Sequence, residues 1–373
     1  MRISNARKYG AAFFLSLGLI VLVSCWSPEV TQTAESSLQQ AQTLATGMTQ
    51  QLITQTPQTP RFGQPIDCQL GQDCFILLYP DRDPSPNAVD FGCGRQTYDD
   101  HQGTDFAIPD EQAMARGVPV IASQAGTVLR VRDGVVDQRV ANEADKTAVT
   151  GTECGNGVVI DHGSIPQGTG WETQYCHLRQ GSIQVKPGDQ VEKGTVLGLV
   201  GASGLASFPH VHLTLRYNGQ VIDPFVGPGA TAGCNVTRHP IWEKPLAYIP
   251  TGLIRAGFST QPPTMDELWQ GKFNETILPE NSPALLFWVQ VYGVLTGDKM
   301  IFNLDDPQGN KVVNNETFVN ESSKTWMAYV GKRNNPQQPF TPGTWNAEYQ
   351  LIRGDRTLVK TQRQLILKAE KSN

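Results

Sequence analysis

The chain has 373 residues, with 30 Lys and Arg against 35 Asp and Glu, a formal net charge of -5 and 39% hydrophobic residues. That length exceeds what one hydrophobic core usually organises, so more than one domain is expected. The mild acidity offers no electrostatic footprint for a nucleic-acid backbone, and no nucleic-acid partner is expected.

At the N-terminus Arg2, Arg7 and Lys8 precede an apolar stretch from Ala11 to Val23. A positive start and an apolar run too short to span a bilayer comfortably read as an export signal over residues 1–25. Leu22-Val23-Ser24-Cys25 resembles a bacterial lipobox, which makes Cys25 the expected lipidation site and the membrane a partner through a lipid anchor. The alternative is a plain secretory signal with a chance cysteine. The expected location is the cell envelope. In a host with two membranes, Trp26 stands where inner-membrane retention favours Asp, so the outer membrane facing the periplasm is expected.

Residues 26–61 are rich in Gln, Thr and Ser, carry few charges and end in a stretch containing Pro57 and Pro60. Such a segment reads as a tether, with a flexible reach of about 30 to 35 Å. Within it Leu38, Ala41, Ala45, Met48 and Leu52 keep a spacing that suits a short amphipathic helix, made marginal by its shortness and by Gly47.

From residue 62 to 235 the pattern changes to short apolar runs separated by Gly, Pro and Asp, among them Cys74–Tyr79, Gly126–Val131, Gly157–Asp161, Glu172–Cys176 and Val211–Arg216. These are strand signals, and the lack of long 3.6-period stretches favours an all-β body. Residues 236–280 read as a linker. Over 281–373, runs such as Ala284–Tyr292, Met300–Leu304, Thr344–Leu351 and Thr357–Leu367 are spaced like the strands of a smaller β-sandwich of immunoglobulin type. That segment holds no His or Cys, and its Trp288, Trp326 and Trp345 are expected in a core.

Setting Cys25 aside leaves Cys68, Cys74, Cys93, Cys154, Cys176 and Cys234, an even number in a chain marked for an oxidising compartment. Cys68 and Cys74 flank a short loop, and Cys154 and Cys176 stand at the ends of a candidate hairpin. By elimination Cys93 joins Cys234.

Four of the six histidines fall in three phrases: His101-Gln-Gly-Thr-Asp105, Tyr175-Cys-His177-Leu178 and His210-Val-His212-Leu213. An open zinc site needs three ligands drawn from His, Asp, Glu or Cys, and two histidines with one aspartate satisfy it. The remaining histidines are then free for acid-base work. His210 and His212 are two apart in a strand-like run and so share one face.

These phrases resemble the lysostaphin-like, or LytM-like, family of zinc peptidoglycan endopeptidases: His-x-Gly-x-Asp-x-Ala at 101–107, Tyr-x-His-Leu at 175–178 and His-x-His at 210–212. Val118–Ala122, Gly157–Gly163 and Gly201-Ala-Ser-Gly204 are further family-like phrases, and the resemblance runs from about Asp99 to Pro224. It implies a β-sheet peptidase domain with a groove, Zn(2+) held by His101, Asp105 and His212, and His177 and His210 as an uncoordinated catalytic pair. It also implies peptidoglycan as the substrate, without saying which bond is cut or which histidine is the base. Two positions depart from the pattern. Cys176 stands where a small or apolar residue is more usual, and Thr214 where a Glu is frequent. His162 and His239 read as structural and surface residues. The rival reading is a non-catalytic peptidoglycan-binding module or an activator of another cell-wall hydrolase, whose usual sign is loss of ligands; none is lost here.

Overall fold

The computed structural model describes residues 59–163, 170–335 and 337–369. The export signal, Cys25 and almost all of the tether lie outside the described residues. Among the described residues no helix is long and apolar enough to cross a membrane.

In chain order the strands of the first body are β1 (Phe75–Leu78), β2 (Thr104–Ala107), β3 (Pro119–Ile121), β4 (Gly126–Arg132), β5 (Asn156–Asp161), β6 (Trp171–Leu178), β7 (Gln190–Val191), β8 (Val196–Leu199), β9 (His210–Tyr217) and β10 (Gln220–Ile222). Two short helices, α1 (Glu111–Arg116) and α2 (Glu143–Ala148), lie in the connections. An eight-stranded antiparallel sheet runs β1-β2-β9-β6-β5-β4-β7, with β10 paired to β9, and β3 pairs β8 separately. The alternation of β9 explains its place. Val211, Leu213 and Leu215 enter a core with Phe106, Val158 and Tyr175, and the other face carries His210, His212 and Thr214.

The second body contains β11 (Gly252–Ser259), α3 (Met265–Trp269), β12 (Ile277–Pro279), β13 (Ala284–Val294), β14 (Lys299–Asp305), β15 (Lys311–Phe318), β16 (Ser323–Arg333), β17 (Gly343–Arg353) and β18 (Arg356–Lys368). A three-stranded sheet, β11-β13-β16, faces a five-stranded one, β12-β18-β17-β14-β15. Phe287, Val289 and Val291 from one sheet and Phe302, Tyr349 and Leu365 from the other fill the space between them. Trp345 belongs to that core and Trp326 packs against it, while Trp288 is buried beside Arg255.

The stretch 236–280 is more than a linker. β11 pairs along its length with β13, and Thr264 caps α3 in a reciprocal capping box with Glu267. β11 was hidden by its composition: Gly252, Arg255 and Gly257 interrupt the apolar run. All eleven residues of β13 are buried, because its second face is covered by Arg255 at Trp288, by Met265 at Gln290 and by Phe75 of the first body at Tyr292. Phe75 stacks on Tyr292 at 5.4 Å, and Leu77, Phe208, Ile254 and Trp269 complete that apolar layer. Residues 59–373 form a single compact unit.

Disulfides join Cys68 to Cys74, Cys93 to Cys234 and Cys154 to Cys176. The last ties the start of β5 to the end of β6, beside the bulge described next.

Candidate metal centre

β9 lies between β2 and β6, and its register sets Asp105 opposite His212, Ala107 opposite His210, and Cys176 opposite His212. The loop before β2 adds His101. As a result His101 Nε2 lies 3.2 Å from Asp105 Oδ1 and 3.2 Å from His212 Nδ1, and the last two atoms are 2.8 Å apart. For metal bonds of 2.0–2.2 Å in a tetrahedron, ligand atoms stand about 3.3–3.6 Å from one another, so the triangle needs only a small expansion to accept zinc. Gly103 belongs to this geometry, because a Cβ there would collide with the His212 ring and the Leu213 carbonyl.

Hydrogen bonds outside the triangle decide which nitrogens face it. His101 Nδ1 donates to the Tyr79 carbonyl at 2.7 Å, which leaves the Nε2 lone pair pointing inward when the ring is neutral. His212 Nε2 lies 3.0 Å from Thr214 Oγ1, which leaves Nδ1 inward in the same way. Two imidazole lone pairs and a buried carboxylate oxygen therefore meet at one point, an arrangement that repels itself unless a proton or a cation sits between them. Burial opposes ionisation of Asp105, but the neighbouring histidines outweigh it and hold the carboxyl well below its usual range. Burial likewise opposes charging His101, yet Asp105 prevails and raises it. A proton and a metal ion would compete for the same Nε2.

His177 reaches this place by a different route. Between the pairs Asn156–Leu178 and Val158–Tyr175, β6 contributes two residues, Cys176 and His177, against the single Gly157 of β5. That is a β-bulge, and its second residue, His177, adopts a left-handed φ of 65°. Its backbone N–H donates to Cys154 O at 2.8 Å, so the disulfide and the bulge hold one another. The ring Nδ1 donates to Ser203 O at 2.8 Å, and Ser203 is fixed in turn through its hydroxyl to Leu178 O and Asn156 N. The Gly201-Ala-Ser-Gly204 phrase thus orients a histidine 26 positions earlier.

His210 donates through Nδ1 to Phe208 O at 2.8 Å, and its Nε2 stands 3.6 Å from Asp105 Oδ1. The His177 and His210 ring centroids are 4.6 Å apart. Burial lowers the pKa of both rings, well below the ordinary value for His177 with the other histidines adding to it. Each is then neutral near pH 7, with Nε2 as its accepting nitrogen. The five side chains come together, so His101, Asp105 and His212 can hold a metal while His177 and His210 remain beside it. Cys176 is committed to a disulfide. His162 bridges Ala125 O and Thr173 Oγ1 away from the cluster, and His239 is exposed.

Some residues of the site give no signal in sequence. Phe208 stacks its ring 4.4 Å from His210 and 5.6 Å from Trp269 of α3, so the second body supports one wall. Arg255 reaches Asp110 at 3.1 Å, and Arg139 joins Glu111 at 2.5 Å to Asp266 at 2.6 Å. Tyr98, partly exposed, lies 4.4 Å from His101 on the other side.

The geometry agrees with a match to the profile of peptidase family M23 over residues 99–224. Over those residues the chain is similar to M23 peptidase domains. An uncharacterised metalloprotease of Haemophilus influenzae is 30% identical over 135 residues, covering 36% of this chain and 22% of that one. The peptidoglycan DD-endopeptidase ShyA of Vibrio cholerae is 32% identical over 123 residues, 33% of this chain and 22% of its own. The DD-carboxypeptidase/endopeptidase Mpg of Neisseria gonorrhoeae is 32% identical over 125 residues, with the same two shares. The chain therefore spans 22% of the length of these curated relatives, and the similarity is confined to about a third of this chain.

Proposed function

We propose that this protein is a zinc metallo-endopeptidase that hydrolyses peptide bonds of bacterial peptidoglycan. The observation that carries the reading is the convergence of three metal-accepting atoms, from His101, Asp105 and His212, beside two neutral histidines whose Nδ1 atoms are committed to carbonyls. The peptidoglycan substrate is suggested by the names of the relatives that share the M23 domain.

Zinc bound by the triad supplies Lewis-acid activation of water and of the scissile carbonyl. The chain's own groups handle the protons. Nε2 of His210 or His177 accepts the proton that the attacking water loses, and the imidazolium so formed donates a hydrogen bond to the oxyanion. The same proton passes to the leaving amine as the C–N bond breaks, so one water is consumed and both rings return to neutral. Asp105 stays ionised, and Thr214 holds the His212 ring in orientation. Export and lipid anchoring at Cys25 belong to the same reading, since they would bring the M23 domain to the cell envelope; an acyl-dependent mass lost in Cys25→Ala tests them.

The decisive experiment is digestion of purified sacculi with mass spectrometry of the released muropeptides. Release is expected to stop with chelator and return with zinc. Sacculus binding and stimulation of a partner amidase, without products of its own, would sink the catalytic reading in favour of an accessory role.

A further inference from the structure

Between the two bodies, beside the loop from Gly92 to Gln96, lies a cavity of about 670 Å³. The charged residues of its wall are Arg95, Lys324 and Arg353, with no Asp or Glu among them. Arg353 is neutralised by a two-point ion pair with Asp298, at 2.8 and 2.7 Å. Arg95 and Lys324 are exposed and have no ion pair among the described residues. The acidic groups that touch the wall are already committed. Asp90 accepts from the N–H groups of Gly92, Gly94 and Gln96 and from the Tyr248 hydroxyl, and both Asp90 and Asp298 are buried.

Two unpaired cations facing one cavity are unexpected in a chain of net charge -5. Partial desolvation, and then the nearby charge of Arg95, push the ammonium of the otherwise exposed Lys324 below its ordinary value. Like charges held this way repel, and an anion between them removes the repulsion. Each cation can donate charge-assisted hydrogen bonds to a carboxylate held in this cavity.

The cavity also adjoins the metal centre through a single residue. Gln96 lines it, and the Gln96 carbonyl accepts from Tyr79 N at 2.7 Å, while the Tyr79 carbonyl holds His101 Nδ1. A ligand in the cavity therefore sits one hydrogen bond from Tyr79, the residue whose carbonyl orients His101.

We infer that this cavity is an anion subsite that takes a carboxylate of a peptide ligand between Arg95 and Lys324. That the peptide is a cell-wall stem peptide rests on the peptidase reading; the charge of the cavity does not.

The test is calorimetric titration of the full chain with a D-Glu-containing stem peptide, its carboxylates either free or amidated, and with inorganic phosphate. The free peptide is expected to bind about tenfold more tightly than the amidated one, and the double variant Arg95→Ala/Lys324→Ala to remove that difference. Both side chains are exposed and unpaired, so the variant is expected to fold. His210→Ala, which abolishes the proposed hydrolysis, leaves the difference in place, so failure of catalysis and failure of this site are read separately. Equal binding of the two peptides, an unchanged preference in the double variant, or tighter binding of phosphate than of the free peptide would overturn the inference.

Discussion

β9 and β13 occupy the same position in their respective bodies, each flanked on both sides by antiparallel neighbours, yet they are stabilised differently. β13 is apolar on both faces apart from Gln290, the Trp288 indole N–H and the hydroxyl of Tyr292, and is filled mainly by volume: Phe302 and Tyr349 against one face, Phe75 against the other. β9 is apolar on one face only. On the other, His210 Nδ1 is held by Phe208 O, His212 lies between Asp105 and the Thr214 hydroxyl, and His210 Nε2 is left free. A buried polar group without a partner is costly, so the chemical face of β9 demands a much more specific surround than β13 does. That requirement is what brings distant loops to one point.

Substitutions on the two strands separate these roles. The largest effect is expected from His210→Ala: hydrolysis of sacculi falls by about 10²- to 10⁴-fold, the range for losing a positioned proton-transfer group, while the urea midpoint stays near wild type. Activity retained with the variant folded would remove His210 from the mechanism. Phe287→Ala on β13 does the reverse, costing about 3–5 kcal/mol in urea unfolding, because Phe287 is fully buried between the sheets. Wild-type stability in that variant would show that the sandwich core repacks easily.

Two smaller effects sharpen the contrast. Thr214→Val removes the oxygen beside His212 Nε2 and is expected to weaken zinc affinity by about tenfold in a chelator competition; an unchanged affinity would mean that Thr214 only fills space. His162 supplies a control outside the centre, since burial lowers its pKa. A histidine with a folded-state pKa below its unfolded value is protonated more readily when unfolded. It therefore supports folding above about pH 6.5 and loses that support as pH falls below it. His162→Gln is expected to flatten the acid side of the stability profile. An equally steep profile would place the acid sensitivity elsewhere.

Much of the centre was legible in the sequence because its signals are local. The two-residue spacing of His210 and His212 puts them on one face of any strand. His101 and Asp105 are close enough in the chain to act together. β13 announced itself by apolar content. The bulge at His177 was not legible, since it depends on how β6 registers against β5 around Gly157. Nor was β11, whose Gly and Arg residues mask a strand that exists through its pairing with β13. The contact from Trp269 to Phe208 joins segments that no periodicity relates.

By itself, then, the sequence determined which metal-accepting and titratable groups are present, in which short phrases, and which faces of the strands would be apolar. Only the tertiary structure decided which nitrogen of His101 and of His177 is free. That choice rests on hydrogen bonds from His101 to Tyr79 and from His177 to Ser203, across 22 and 26 positions of chain. A ring nitrogen that gives its proton to a distant carbonyl leaves its other lone pair for chemistry, and only the folded sheet brings that carbonyl within reach.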